Sequence, residues 1–305
     1  MRPIKGTRRG EEKDFKLLLW ANLLQIKRLG LLLVISCSLA TNCLFGQSSR
    51  TLPGRVVCLS PYPAEILCDL GEAERIIAVG RLPRDGAYNS FLRNKTVVGG
   101  SIGSNINLEM ILGVKPDLVF CWGAQGDILE DKGLNVYGTK TYDLEGIMGF
   151  ITDIGKIVGK EKEAKKIVDE MKARIQRVEA KVKGVKNKPL VYFEQSALGK
   201  TRAKGSLTDE LISRAGGINI AKDEPVPFPL LSQEFIIEKN PEIIIVEEWG
   251  TKPSEIKGRD GWKNIKAVKS GKIFPSKSYY TGYTSRCLDG LEEYAKLFYP
   301  ELFSK

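Results

Sequence analysis

The sequence predicts an α/β fold: two similar lobes with parallel-type sheets, joined by one long backbone helix, with a ligand cleft between the lobes. Three observations carry that expectation. First, one pattern occurs twice. Asn107-Leu108-Glu109-Met110-Ile111 leads to Lys115-Pro116-Asp117-Leu118-Val119-Phe120, and Ser232-Gln233-Glu234-Phe235-Ile236 leads to Asn240-Pro241-Glu242-Ile243-Ile244-Ile245. In both, a glutamate stands seven residues ahead of a proline that opens a buried strand. Glu65 and Glu210 repeat a second spacing, each six residues ahead of a glycine, Gly71 and Gly216. Second, short apolar runs bounded by turn residues alternate with short helical stretches, the pattern of parallel strands with helical crossovers. Third, residues 161–182 contain no Gly or Pro and align Ala164, Ile167, Val168, Met171, Ile175, Val178 and Val182 on one helical stripe. At 1.5 Å per residue that helix is a rod of roughly 33 Å, long enough to run from one lobe to the other.

The elements follow in order. Residues 1–36 read as a signal peptide: Lys27-Arg28 precedes eighteen uncharged residues, Leu29 to Gly46. Within that run Val34-Ile35-Ser36-Cys37 resembles a bacterial lipobox, which would place a lipid anchor on Cys37. Ordinary secretion and an uncleaved spanning helix stay open as alternatives. All three readings put the folded part outside the cytoplasm. Residues 37–54 are a polar tether, and 55–143 form the first lobe. Its strands fall at 55–60, 76–80, 97–100 and 118–122, with helices at 64–70 and 109–112. Residues 144–187 are a helical linker that includes the rod, ended by Lys183-Gly184-Val185-Lys186-Asn187. Residues 188–305 form the second lobe, with strands at 190–193, 243–246 and 273–275. Its helices fall at 208–215, 235–239 and 285–298, the last stopping before Pro300.

Composition removes several classes of function. At 305 residues and 42% hydrophobic content the chain suits two ordinary domains. Of the net charge of +10, residues 1–36 hold eight Lys and Arg against three Asp and Glu. The remaining charges are mixed in sign, and no basic-aromatic module indicates a nucleic-acid partner. The chain has no histidine. That rules out Ser-His-Asp and Cys-His catalysis and removes the usual ligand for a bare transition-metal ion. The six cysteines follow no metal spacing; Cys58, Cys121 and Cys287 lie in apolar contexts, and a Cys58–Cys68 bridge is possible. Gly199-Lys200-Thr201 lacks the earlier glycine of a phosphate-binding loop, and no nucleophile elbow exists. No catalytic residue, cofactor or metal set is therefore assigned.

What remains is a set of aromatic and basic residues in loops behind strands, where open α/β sheets bind ligands. Tyr62 follows the first strand and Trp122 the fourth. Arg202 follows the first strand of the second lobe. Phe228 sits in the stiff stretch Pro225-Val226-Pro227-Phe228-Pro229, and Tyr279, Tyr280, Tyr283 and Arg286 follow the last strand. Aromatic walls give contact area at low entropic cost, and an arginine fork suits carboxylates and oxyanions. Glu109 and Glu234 each stand two residues behind an N-cap type, Asn107 and Ser232, where a carboxylate favours the helix dipole. One such glutamate is a helix device. A matched pair, one per lobe, can also dock on a symmetric partner with two basic sites.

These motifs resemble the substrate-binding proteins of ABC importers for iron-siderophores, corrinoids and haem. The ordered set is the two glutamate–proline patterns, Ala215-Gly216-Gly217-Ile218-Asn219-Ile220, Val226-Pro227-Phe228-Pro229 and Thr284-Ser285-Arg286, and the match covers 55–303. The resemblance implies that the rod is a rigid hinge with small closure. It implies that Glu109 and Glu234 meet arginines of a permease dimer served by a cytoplasmic ATPase. It implies cargo held by Tyr62, Trp122, Arg202, Phe228, Tyr279, Tyr280 and Arg286 in a membrane-anchored monomer. Ser101-Ile102-Gly103-Ser104 lacks the aromatic common in corrinoid binders and the tyrosine or histidine of haem binders. A ferric siderophore or similar chelate therefore leads, with corrinoid, an oxyanion such as molybdate or tungstate, and haem as alternatives. A metal-cluster enzyme of the nitrogenase-component type, using Cys58 and Cys121, is the alternative of another class; a structural or adhesion role is a third.

Overall fold

The computed structural model describes residues 52–99, 106–139 and 143–304. The signal peptide, Cys37, most of the tether and Ser101-Ile102-Gly103-Ser104 lie outside the described residues. Among the described residues no helix is long and apolar enough to cross a membrane.

The first half runs β1 (Val56–Cys58), α1 (Pro61–Asp69), β2 (Ile76–Val79), α2 (Asn89–Leu92), β3 (Thr96–Val97), α3 (Leu108–Gly113), β4 (Leu118–Trp122), α4 (Gly123–Glu130) and β5 (Val136–Thr139). A helical pair follows, α5 (Leu144–Val158) and α6 (Glu161–Val182). The second half runs β6 (Leu190–Glu194), α7 (Leu207–Arg214), β7 (Ile218–Asn219), α8 (Gln233–Lys239), β8 (Ile243–Glu247), α9 (Pro253–Lys257), α10 (Lys266–Ser270) and β9 (Ile273–Ser276). It closes with α11 (Cys287–Phe298) and α12 (Pro300–Phe303).

The strands form two separate sheets, ordered β3-β2-β1-β4-β5 and β7-β6-β8-β9. Every strand pair is parallel. Burial on both faces explains why these strands read as unbroken apolar runs. In β1 and β4, Val56, Cys58, Leu118 and Phe120 point into the large core shared with α5 and α6, while Val57, Val119 and Cys121 point into a smaller outer core. In β8, Ile243 and Ile245 face the large core, and Ile244 and Val246 face an outer core built on Trp262. The two-residue period of a strand thus feeds two apolar layers at once.

Between the two sheets α5 and α6 form a helical hairpin. Gly159 ends α5 in the left-handed region at φ 72°, which lets the chain reverse into α6 without a Cβ penalty. The rod itself has the bounds its sequence predicts and buries Ala164, Val168, Met171, Ile175, Val178 and Val182. It packs on α5, α7 and α11. Arg174 of the rod holds Asp289 and Glu292 of α11 at 2.7 and 2.8 Å, and Lys160 reaches Glu72 at 3.3 Å. The sequence pattern announces neither helices α2, α4, α9, α10 and α12 nor strands β5 and β7; each is short or interrupted. Cys58, Cys68, Cys121 and Cys287 are free thiols, so the possible Cys58–Cys68 bridge is absent.

Candidate functional site

Both sheets have a point where the strand order reverses direction, and both points open on one cavity of about 600 Å³. In the first sheet the reversal lies between β1 and β4. Tyr62 enters α1 just past β1, and Trp122 is the last residue of β4. In the second sheet it lies between β6 and β8, whose ends supply Gln195, Ser196, Glu247 and Trp249. Further lining comes from Glu65 of α1, from the loop after β2, with Arg81, Arg84 and Asp85, and from Arg202, Phe228, Tyr279 and Tyr283.

Local chemistry fixes each side chain. Gly80 lies so close to β1 that a Cβ there would stand 2.1 Å from the Leu59 carbonyl oxygen, and its N–H donates to the Cys58 carbonyl at 2.7 Å. The loop that carries Arg81 and Arg84 therefore leaves the sheet pressed against β1. Arg202 and Phe228 sit on paired loops: Thr201 donates to the Pro229 carbonyl at 3.2 Å and Ala203 to the Pro227 carbonyl at 2.9 Å. That pairing brings the Arg202 Cζ to 5.0 Å from the Phe228 ring centre. Tyr283 stacks on Trp122 at 5.7 Å and meets Tyr62 edge-on at 5.1 Å. Beneath the β6 end, Arg259 grips the buried Glu194 carboxylate at 2.6 and 2.7 Å, which steadies the turn bearing Gln195 and Ser196.

The electrostatics are lopsided. Among the described residues Arg81, Arg84 and Arg202 enter no ion pair, and the buried Nε atoms of Arg81 and Arg202 have no hydrogen-bond partner. Arg84 lies 5.7 Å over the Trp249 ring. Against these stand three carboxyls. Burial pushes Glu65 up to about 7, opposed by Arg286. Burial also raises Glu247, opposed by Arg202 and Arg84. Asp85 feels a desolvation penalty, but hydrogen bonds from Arg286 and the Ala87 N–H outweigh it and hold its carboxyl low. Burial, then Tyr283, pushes Tyr62 up to about 12, so the phenol is neutral. A buried polar donor without a partner is costly, so the guanidinium groups are set to accept an anion from outside.

Six of the residues selected from sequence meet at this cavity: Tyr62, Trp122, Arg202, Phe228, Tyr279 and Tyr283. Two others, Tyr280 and Arg286, do not line it. Tyr280 is 7% exposed and packs edge-on against Tyr294 at 6.2 Å; a Cβ on Gly290 of α11 would lie 2.7 Å from its own Cβ. It belongs to the core. Arg286 is not in the cavity wall because Glu65, at 3.4 Å, and Asp85 occupy its guanidinium. Sequence reasoning missed Arg81, Arg84, Glu247 and Trp249. The rule that selects Arg202, an arginine in the loop behind a strand, selects Arg81 and Arg84 behind β2 equally. The internal repeat carried further also reaches Glu247: it stands six residues after Pro241, as Trp122 stands six after Pro116.

Glu109 and Glu234 lie away from the cavity, exposed in the first turns of α3 and α8. The Asn107 side chain caps α3 by accepting from the Met110 N–H at 3.1 Å, and Ser232 caps α8 from the Phe235 N–H at 3.1 Å. The two helix starts are built alike on the two halves.

Two parallel sheets held by one helical brace, with an aromatic and basic cavity at both reversal points, define a binding protein of the two-lobed class. The profile of the periplasmic binding protein family matches residues 56–280, and the chain belongs to that family. It is 27% identical over 266 residues to an uncharacterized ABC transporter substrate-binding lipoprotein, YvrC, of Bacillus subtilis, covering 83% of this chain and 82% of that one. It is 25% identical to a vitamin B12-binding protein of Vibrio cholerae, covering 78% and 87%. Among solved structures, a possible iron-binding, periplasmic solute-binding protein of Staphylococcus epidermidis superposes with a TM-score of 0.68 at 25% identity, covering 82% of this chain and all of that one. The resemblance carried by the sequence motifs, to substrate-binding proteins of ABC importers, is borne out. The family consists of transport binding proteins and carries transported ligands rather than cofactors.

Proposed function

We propose that this substrate-binding protein of an ABC importer works outside the cytoplasm and captures an anionic ferric chelate of the siderophore type. The carrying observation is the set Arg81, Arg84 and Arg202, none of them held in a salt bridge among the described residues, facing Tyr62, Trp122, Phe228, Tyr279 and Trp249. A metal that arrives already wrapped in its chelator needs no protein ligand. It needs flat apolar walls for the chelator and cations for its net negative charge. Glu109 and Glu234 dock on the permease dimer, and a lipid on Cys37 holds the monomer at the membrane. The name of the Vibrio relative favours a second reading, a corrinoid, whose amide-rich rim would call less on three free guanidiniums. The family match and the buried Cys58 and Cys121 thiols, both raised by burial and Cys121 to about 11, speak against the metal-cluster enzyme.

The test is competition read by tryptophan quenching and native mass spectrometry. A ferric tris-catecholate, cyanocobalamin, haemin and molybdate are each titrated at low and high salt. The reading expects saturable ferric-chelate binding that weakens as salt screens the arginines. Tight, salt-independent cyanocobalamin binding with no ferric-chelate binding would replace it with the corrinoid reading.

A further inference from the structure

Arg286, displaced from the cavity wall, makes contacts that point to a different task. It precedes α11, on the side of the second sheet, yet its charged partners belong to the first: Glu65 in α1 and Asp85 in the loop after β2. Thr284 adds a 3.5 Å contact to the same Glu65 carboxylate. The guanidinium lies 3.9 Å from the Tyr279 ring centre and 5.5 Å from that of Tyr88, so one ring from each half flanks it. The side chains of Arg286, Asp85 and Glu65 are only 18%, 19% and 6% exposed. A planar fork with two carboxylates and two aromatic faces has little freedom to turn.

What Arg286 holds is the cavity wall. Asp85 follows directly on Arg84, four residues after Arg81, and Tyr279 is itself a lining residue. Gly80 pins the start of that loop against β1, and Arg286 pins its far end from across the cleft. We propose that Arg286 is a positioning residue: it fixes the Arg81–Arg84 loop and the Tyr279 ring in register across the two halves, and so sets cargo affinity without touching cargo. This rests on the anionic-cargo reading only for its affinity consequence; the ordering of the loop stands apart from it.

The experiment uses the full mature chain with R286Q, D85N, the double variant and R286K. In the cargo-free protein, hydrogen–deuterium exchange should quicken for amides 81–88 in R286Q and D85N, with β1, β4 and β8 unchanged. Titration with a ferric tris-catecholate should show affinity falling about tenfold in R286Q. The double variant should lose no more than R286Q alone, because both changes break one linkage. R286K keeps the charge but not the fork, and should restore affinity only in part. Unchanged exchange at 81–88 in R286Q and D85N overturns the proposal, whatever the chelate does. Additive losses in the double variant also overturn it, since Arg286 would then act on cargo directly. If R286Q fails to fold, D85N and R286K carry the same comparison. If wild type does not bind the chelate, the cargo reading fails while the exchange result still decides the role of Arg286.

Discussion

Glu65 is an acid buried in the wall of the cavity, only 5% exposed. Its ordinary value is 4.5, and burial raises it to about 7 even with Arg286 beside it; Asp85 and Asp69 push the same way. The folded protein therefore holds a proton near neutrality that the unfolded chain would release. The sign follows from linkage: stability contributed by Glu65 is fully present below about pH 4.5 and is lost as pH rises through about 7, on the order of 3 kcal/mol in all. Thermal melts of wild type and E65Q between pH 5 and 8 test this. Wild type should lose stability relative to E65Q across that window; parallel curves would mean that Glu65 does not titrate there. The aromatic wall gives a second outcome at this scale. Trp122→Ala and Phe228→Ala should each weaken ferric-chelate binding about tenfold or more, because each removes a large contact face. Phe228 is 48% exposed, so its loss should leave the melting temperature almost unmoved. A collapse of folding without a binding change would assign these rings to packing instead.

Helix starts and turns show what a sequence can and cannot announce. Asn107 and Ser232 are legible as caps because a short acceptor ahead of an apolar run has few other uses. Glu109 and Glu234 follow from them, and both are exposed. Reversing both charges should abolish uptake through the permease and leave chelate affinity intact; loss of affinity would make them cargo residues and end the docking reading. The rod is legible residue by residue, since an unbroken stripe without Gly or Pro can only be one helix. Its Met171 is 2% exposed, and Met171→Ala should cost about 2–5 kcal/mol in denaturant unfolding. By contrast α4 holds Gly123 and Gly126 and β5 holds Gly138, which blur both periods. Tyr279 and Tyr280 mark the limit more sharply. They are neighbours in one short turn after β9, yet one ring lines the cavity and the other enters the core. Pattern places a residue behind a strand; only packing against α11 decides which way it faces. Arg286 is the same case, since Glu65 and Asp85 that claim it lie about two hundred positions away in the chain.

Among the described residues the chain passes from the first sheet to the second once, through α5 and α6. A hinge made of extended strands can open by a few backbone rotations. A helix of 22 residues cannot, because bending it breaks hydrogen bonds and shears the apolar stripe against its neighbours. The stripe is also continuous with one large core that includes residues from both sheets, such as Phe120 and Phe193. Arg174 fastens the rod to α11, Arg214 of α7 reaches Glu179 of the rod, and Arg286 crosses back to α1. Every one of these ties would have to slide for the halves to swing. Cargo should therefore enter a cavity that already has its bound width. Spin labels at exposed Glu130 on α4 and Lys257 on α9 report that width. With a ferric tris-catecholate added, their separation should change by less than about 1 Å, the range of a preorganised site. A shift above about 2 Å would show a true hinge, and the stiffness assigned to the rod and its ion pairs would then be wrong.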